Sequence, residues 1–303
     1  VVMKRKVLGV LSIGVLFASM ALAQGHQDYL DVFIAKVKPE KRAEFDAICK
    51  KIAEANRRFK GDNFLASGTV YGEGNTVSFV SARGSYGDME KASDVFGSAI
   101  KKAYGQAGAD KLYQDLNNAL ASSRSEVRRR RWDLTGNPPA DAAAEAQTVG
   151  QARWVHTFIA HVRPGQELKF ETLLKEINAA AKSGDQPPPK TLTLGPWISE
   201  MDTGGSGAVF YITWLMKSMG EMDQTAPLSQ ILGEEGYQKF LSAIAEVAEG
   251  SESMISHFLP ELSNPPEQVV AAAPDFWRPK LTVAAKARPK ASEAAKGAAK
   301  GSQ

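Results

Sequence analysis

A chain of 303 residues, 43% hydrophobic and 23% charged with a single cysteine, can fill two modest cores but cannot staple them with an internal disulfide. Its net charge of +3 sits at the ends: Lys4, Arg5 and Lys6 open the chain, and Arg278 to Gln303 holds seven Lys/Arg against one Glu. The body between them is acidic, so net charge does not mark the folded part as a nucleic-acid binder.

Behind the three basic residues come an apolar run from Val7 to Leu16 and the small-x-small triplet Ala21-Leu22-Ala23. That order predicts a signal peptide over residues 1–23, cleaved before Gln24, and an exported protein, periplasmic or secreted. No later segment reaches ~18 uninterrupted apolar residues, so no transmembrane span is expected after cleavage.

Residues 28–139 read as one unit. Phe33-Ile34-Ala35-Lys36-Val37-Lys38-Pro39 is a strand running into a proline-started helix, whose stripe is Phe45, Ile48 and Ile52. Val70-Tyr71 and Thr76–Ala82 flank the turn Gly72-Glu73-Gly74-Asn75 and predict a hairpin. A helical stretch over Asp88–Ser122, broken near Gly105–Gly108, leads to a last strand over Glu126–Leu134, and Asn137-Pro138-Pro139 closes the unit. Residues 140–152, rich in alanine, read as a linker.

Residues 153–266 repeat that order. The strand returns as Phe158-Ile159-Ala160-His161-Val162-Arg163-Pro164, the helical stripe as Phe170, Leu173 and Ile177, and the exit as Asn264-Pro265-Pro266. Trp197-Ile198 and Ala208–Trp214 surround a longer glycine turn, and Gly220-Glu221-Met222-Asp223 answers Gly87-Asp88-Met89-Glu90. A helix over Glu221–Glu249, broken near Gly233–Gly236, and a strand over Met254–Leu262 complete it. Residues 267–303 are assigned to a disordered basic tail, because after Trp277 the chain mixes Ala, Lys, Pro, Gly and Ser without apolar periodicity.

The order βαββαβ, given twice, predicts an α+β fold of two tandem ferredoxin-like units. Each four-stranded sheet leaves one face bare, and the second copy is the obvious cover, so an intrachain pseudo-dimer is expected. Over residues 28–266 this pattern resembles the dimeric α+β barrel superfamily, which includes antibiotic-biosynthesis-type monooxygenases, NIPSNAP-like proteins and the two-repeat haem proteins related to chlorite dismutase. The resemblance rests on element order and repeat symmetry and carries over no catalytic motif.

Arg128 to Arg131 precede Trp132 on the predicted last strand of the first unit, and alternation sends Arg128, Arg130 and Trp132 to one face. Arginine forks suit carboxylate or phosphate, so these residues read either as an anion-recognising wall of a cavity or as a solvated edge strand that discourages association. His156 and His161 fall on opposite faces of one strand, and His257 lies on the last strand. Each could ligate a metal or act as a base, or be a hydrogen-bonded part of the sheet. No HxH, HExxH or Cys/His cluster is present, so no metal and no cofactor is expected; haem enters only through the resemblance. Trp197 and Tyr211, with Tyr71 and Trp214, could line a pocket between the sheets or serve as core. Cys49 sits beside a helical stripe as a small hydrophobe.

Three functions fit these residues. The leading one is binding of a small organic ligand, anionic if the arginines receive it, between the two units. A cofactor-free monooxygenase-like enzyme is implied by the resemblance, and would need an enclosed cavity lined by Tyr, Trp, His or Arg. An envelope interaction protein would use Arg278–Gln303 to contact a polyanion.

Overall fold

The computed structural model describes residues 27–183, 196–205, 207–224 and 226–279. The signal peptide read over residues 1–23, and the cationic stretch beyond Pro279, lie outside the described residues.

The first unit consists of strands β1 (Tyr29–Val37), β2 (Leu65–Tyr71), β3 (Thr76–Arg83) and β4 (Leu120–Arg130), with helices α1 (Arg42–Phe59) and α2 (Tyr86–Ala119). The second has β5 (Trp154–Val162), β6 (Trp197–Thr203), β7 (Val209–Met216) and β8 (Ala248–Phe258), with α4 (Glu167–Ser183) and α5 (Leu228–Val247). Between the units lies α3 (Ala142–Gln151), and after them α6 (Glu267–Ala272) and α7 (Pro274–Trp277). The strands close into one antiparallel barrel in the order β1-β3-β2-β8-β5-β7-β6-β4. The fold is therefore the intrachain α+β barrel that the repeat implies, with β2 joined to β8 and β4 joined to β6 at the two seams.

Local chemistry explains the elements. In β1, Phe33, Ala35 and Val37 pack with Phe45 and Cys49 of α1, while Val32 and Ile34 point the other way, into the barrel. Pro39 opens a single 3-10 turn before α1, and Lys60 ends α1 in the left-handed conformation, its N–H donating to the Asn56 carbonyl. Both predicted helix breaks occur: Gly105 and Gly233 take φ of 71° and 68° inside α2 and α5, conformations that glycine adopts without a Cβ penalty. The last strands start earlier than expected, at Leu120 and Ala248. Their first halves, such as Ser122-Ser123-Arg124-Ser125, are exposed on both faces, so no polar/apolar alternation marks them.

Two assignments are corrected. Residues 140–152 are not a plain linker: Asp141 caps α3 by accepting from the Ala144 N–H at 2.8 Å, and α3 packs on α6. Nor does the tail begin at 267, since α6 and α7 are folded and Trp277 is 1% exposed, its indole N–H donating to the Gly150 carbonyl at 2.8 Å. Both copies thus continue past their Asn-Pro-Pro landmark into a helix. Ala146, Val149, Val269, Val270 and Trp277 pack on Leu65, Val155, Trp197, Leu215 and Phe258, which sit together at one end of the strands. Three helices therefore cap one mouth of the barrel.

Candidate functional site

Cross-strand partners share a face, so the registers assign the side chains. Val32 pairs with Glu126 and Leu30 with Arg128, which turns Arg124, Glu126, Arg128 and Arg130 inward. Tyr211 pairs with Ser199 and Ile159, and His161 with Val209, all on the inner face. His156 and His257 lie on the outer face.

Within the barrel, Glu126 is 3% exposed and accepts from Arg124 Nε at 2.6 Å, Arg128 Nε at 2.9 Å and Nη2 at 2.7 Å, and the Tyr211 hydroxyl at 3.1 Å. The Arg128 guanidinium lies 3.4 Å from the Tyr211 ring centroid. Burial alone would push the Glu126 carboxyl up, but Arg128 and Arg124 outweigh it and hold the group below the usual carboxylate range. Burial pushes the Tyr211 phenol up.

The other arginines of the run are also paired. Arg129 meets Glu200, Arg130 meets Glu145 of α3 at 2.6 Å, and Arg131 meets Asp133 at 2.8 Å as well as Glu171 of α4. Neither sequence reading of this strand holds. It is no edge, because β6 pairs with it over Val127–Arg130, and it is no free anion wall, because the protein's own carboxylates occupy each fork.

The remaining predicted residues separate. Arg130 stacks on Trp132 and Trp197, with guanidinium-to-ring distances of 4.6 and 5.2 Å, at the capped mouth. His161 bonds Glu252 at 3.0 Å near the opposite mouth, where Lys36 bonds Glu73 at 2.8 Å. On the outer face, His156 stacks on Trp214 with centroids 5.1 Å apart and shares a 2.9 Å hydrogen bond with Ser253. Burial pulls its pKa down, favouring the neutral ring. His257 packs edge-on to Trp154 and Phe276. The eight sequence candidates are thus spread over the inner face, the capped mouth and the outer face and do not line one cavity.

Among the described residues, an open groove lies elsewhere. At the β2–β8 seam, Tyr71 of the first unit and Ile255 of the second are paired residues, and the 3-10 segment Met219–Gln224 passes beside them. Tyr71, Ile255, Met219, Gly220, Met222 and Asp223 line a groove of about 410 Å³ that opens to solvent. Tyr71 is 58% exposed. Apart from Tyr71, this lining escaped sequence reasoning. A signal was present in the repeat, since Tyr86 of the first copy is replaced by Met219 just before the matching Gly220-Glu221-Met222-Asp223.

The groove's lining contains no histidine, so a haem finds no imidazole ligand in it. Among the described residues there is no cluster of three His, Cys, Asp or Glu able to hold a metal, and no helix long and apolar enough to cross a membrane.

No family model matches the sequence, and no curated protein matches it. Similar solved structures include a protein assigned as a monooxygenase from Lactobacillus acidophilus, with 10% identity, a TM-score of 0.44, and 77% of this chain and 94% of that one covered. An anthrone oxidase-like protein has 15% identity and a TM-score of 0.47 over 77% and 92% of the two chains. The chlorite dismutase of Candidatus Nitrospira defluvii in complex with imidazole has 12% identity and a TM-score of 0.39 over 82% and 95%. At such identities the likeness concerns the fold alone, and the architecture stands on this chain's own strand order.

Proposed function

We propose that the protein binds a small organic ligand in the groove at the β2–β8 seam. The supporting observation is the lining itself: an open space of about 410 Å³, within the range of small-molecule sites, built from both units and bordered by apolar side chains with one carboxylate. Half-exposed methionines support the same reading, because flexible thioethers at a surface adapt to apolar ligands. The arginines around Glu126 support it indirectly, since a ligand inside the barrel would have to displace Glu126 from four hydrogen bonds donated by three side chains. Export, read from Lys4 to Ala23, belongs to this proposal and places the ligand outside the cytoplasm; N-terminal sequencing of the protein from its own host tests it.

A neutral fluorescent probe, N-phenyl-1-naphthylamine, tests the groove. Met219→Tyr installs the side chain that the first copy carries at this position and fills the space. The expected result is probe binding by the full chain and a loss of at least about tenfold in affinity for the variant, at unchanged circular dichroism. Equal binding by both would refute the proposal.

A further inference from the structure

We infer that the seam groove selects an organic cation with an aromatic ring, of the arylalkylamine kind. This rests on the groove being the binding site, as proposed above, and adds the chemistry of what enters it.

The first argument is the charge of the lining. Asp223 is the one carboxylate in it, and no lysine, arginine or histidine accompanies it there. Asp223 is exposed, so its charge disfavours an anion and gives a purely apolar guest no added attraction. A cation neutralises Asp223 and can lie against the exposed Tyr71 ring, whose face attracts positive charge. Met219, Met222 and Ile255 remain for an apolar body.

The second argument comes from the other seam. Val127 pairs with Thr203 there as Ile255 pairs with Tyr71 here, so the two corners correspond. At the first corner the protein supplies the aromatic ring itself: Tyr86 packs on Tyr29 with centroids 5.0 Å apart, and its hydroxyl donates to Asp202 at 2.9 Å. At the second corner Met219 stands in place of Tyr86 and Val70 in place of Asp202, so both partners of that hydrogen bond are gone, while Asp223, at the position of Glu90, lies in the groove lining. What the second corner lacks is the Tyr86 ring with the donor at its tip, and an arylalkylamine supplies both, with Asp223 as the carboxylate available to it. Residues 278–303 do not supply it, because they include lysines but no aromatic residue.

The test uses the full chain and three probes of similar shape: 2-phenylethylamine, 2-phenylethanol and phenylacetate, with dissociation constants from ligand-observed NMR at low salt. The amine is expected to bind about two- to fivefold tighter than the alcohol, as one partly exposed ion pair allows, with the acid weakest. Asp223→Asn is expected to abolish the preference, and Met219→Tyr to weaken every ligand that binds. If the alcohol or the acid binds as tightly as the amine, or the amine preference survives Asp223→Asn, the ligand class is wrong while the groove stands. Absence of binding by all three also overturns the class, leaving the naphthylamine probe to decide the groove. If Met219→Tyr leaves every constant unchanged, the groove reading falls as well.

Discussion

Replacing Glu126 by methionine removes the acceptor of four hydrogen bonds donated by three side chains inside the barrel. The Glu126 side chain is 2% exposed and that of Arg128 13%, so Arg128 would be left buried against Tyr211 without a counter-ion. Breaking a buried pair in this way costs about 3–5 kcal/mol. Arg124 adds little, because it is 55% exposed and can rehydrate. For a domain of this size the loss corresponds to a fall of roughly 6–20 °C in melting temperature. Removing both charges, as in Glu126→Met with Arg128→Met, leaves no orphaned ion and should cost less than Glu126→Met alone. The second copy already carries Met254 and Ser256 at the corresponding inward positions, since Thr157 pairs with Met254 as Val32 pairs with Glu126. Urea unfolding of the wild type, both single variants and the double variant measures the cycle. Additive costs, or a Glu126→Met penalty under about 1 kcal/mol, would refute a coupled buried pair. Acid provides an independent arm. Because the folded Glu126 pKa is depressed below its ordinary value of 4.5, the unfolded chain takes up the proton first. Its stabilisation is complete above that value and is lost as pH falls through the lower, folded pKa; Glu126→Gln should lack this component.

Other outcomes follow from single sites. A Cβ at Gly150 would stand 2.5 Å from both the Ala272 Cβ and the Val269 carbonyl oxygen, so Gly150→Ala should destabilise the cap by about 1–3 kcal/mol in thermal unfolding. Trp277→Ala should cost about 3–5 kcal/mol, and a wild-type melting temperature in that variant would show that α7 does not seal the mouth. Cys49 is 4% exposed and its thiol pKa is pushed up by burial, so an aromatic disulfide reagent should label it at least about a hundredfold more slowly in the native protein than in urea. His156 should titrate below its ordinary 6.5 by NMR. The unfolded chain then binds the proton first, so this residue's contribution is full above pH 6.5 and declines as pH falls through the lower, folded pKa.

The repeat was readable because it is written in large apolar residues at fixed spacing: Phe45, Ile48 and Ile52 against Phe170, Leu173 and Ile177. The glycine breaks and the Gly72–Asn75 turn were readable because those positions need backbone freedom, as Gly72 at φ 112° and Asn75 at 57° show. The cap escaped because α3 meets α6 through small residues, Gly150 against Ala272, and such contacts leave no bulky stripe. The arginine strand was seen as chemically distinct, but its meaning depended on Glu145, Glu171 and Glu200, which are brought to it from other elements. The groove was hardest to see. It arises where two chain-distant segments, Tyr71 and Met219–Asp223, meet at a seam that only barrel closure creates.

The cap also changes what the connection between the units can tolerate. A ten-residue stretch that looked like a tether is a packed lid whose Gly150 carbonyl receives the Trp277 indole from the far end of the fold. Insertions between Pro139 and Ala152 should therefore behave as core lesions, unlike the neutral changes expected of a linker. A fusion or permutation of this barrel would have to preserve that segment's length and phase as strictly as those of any strand.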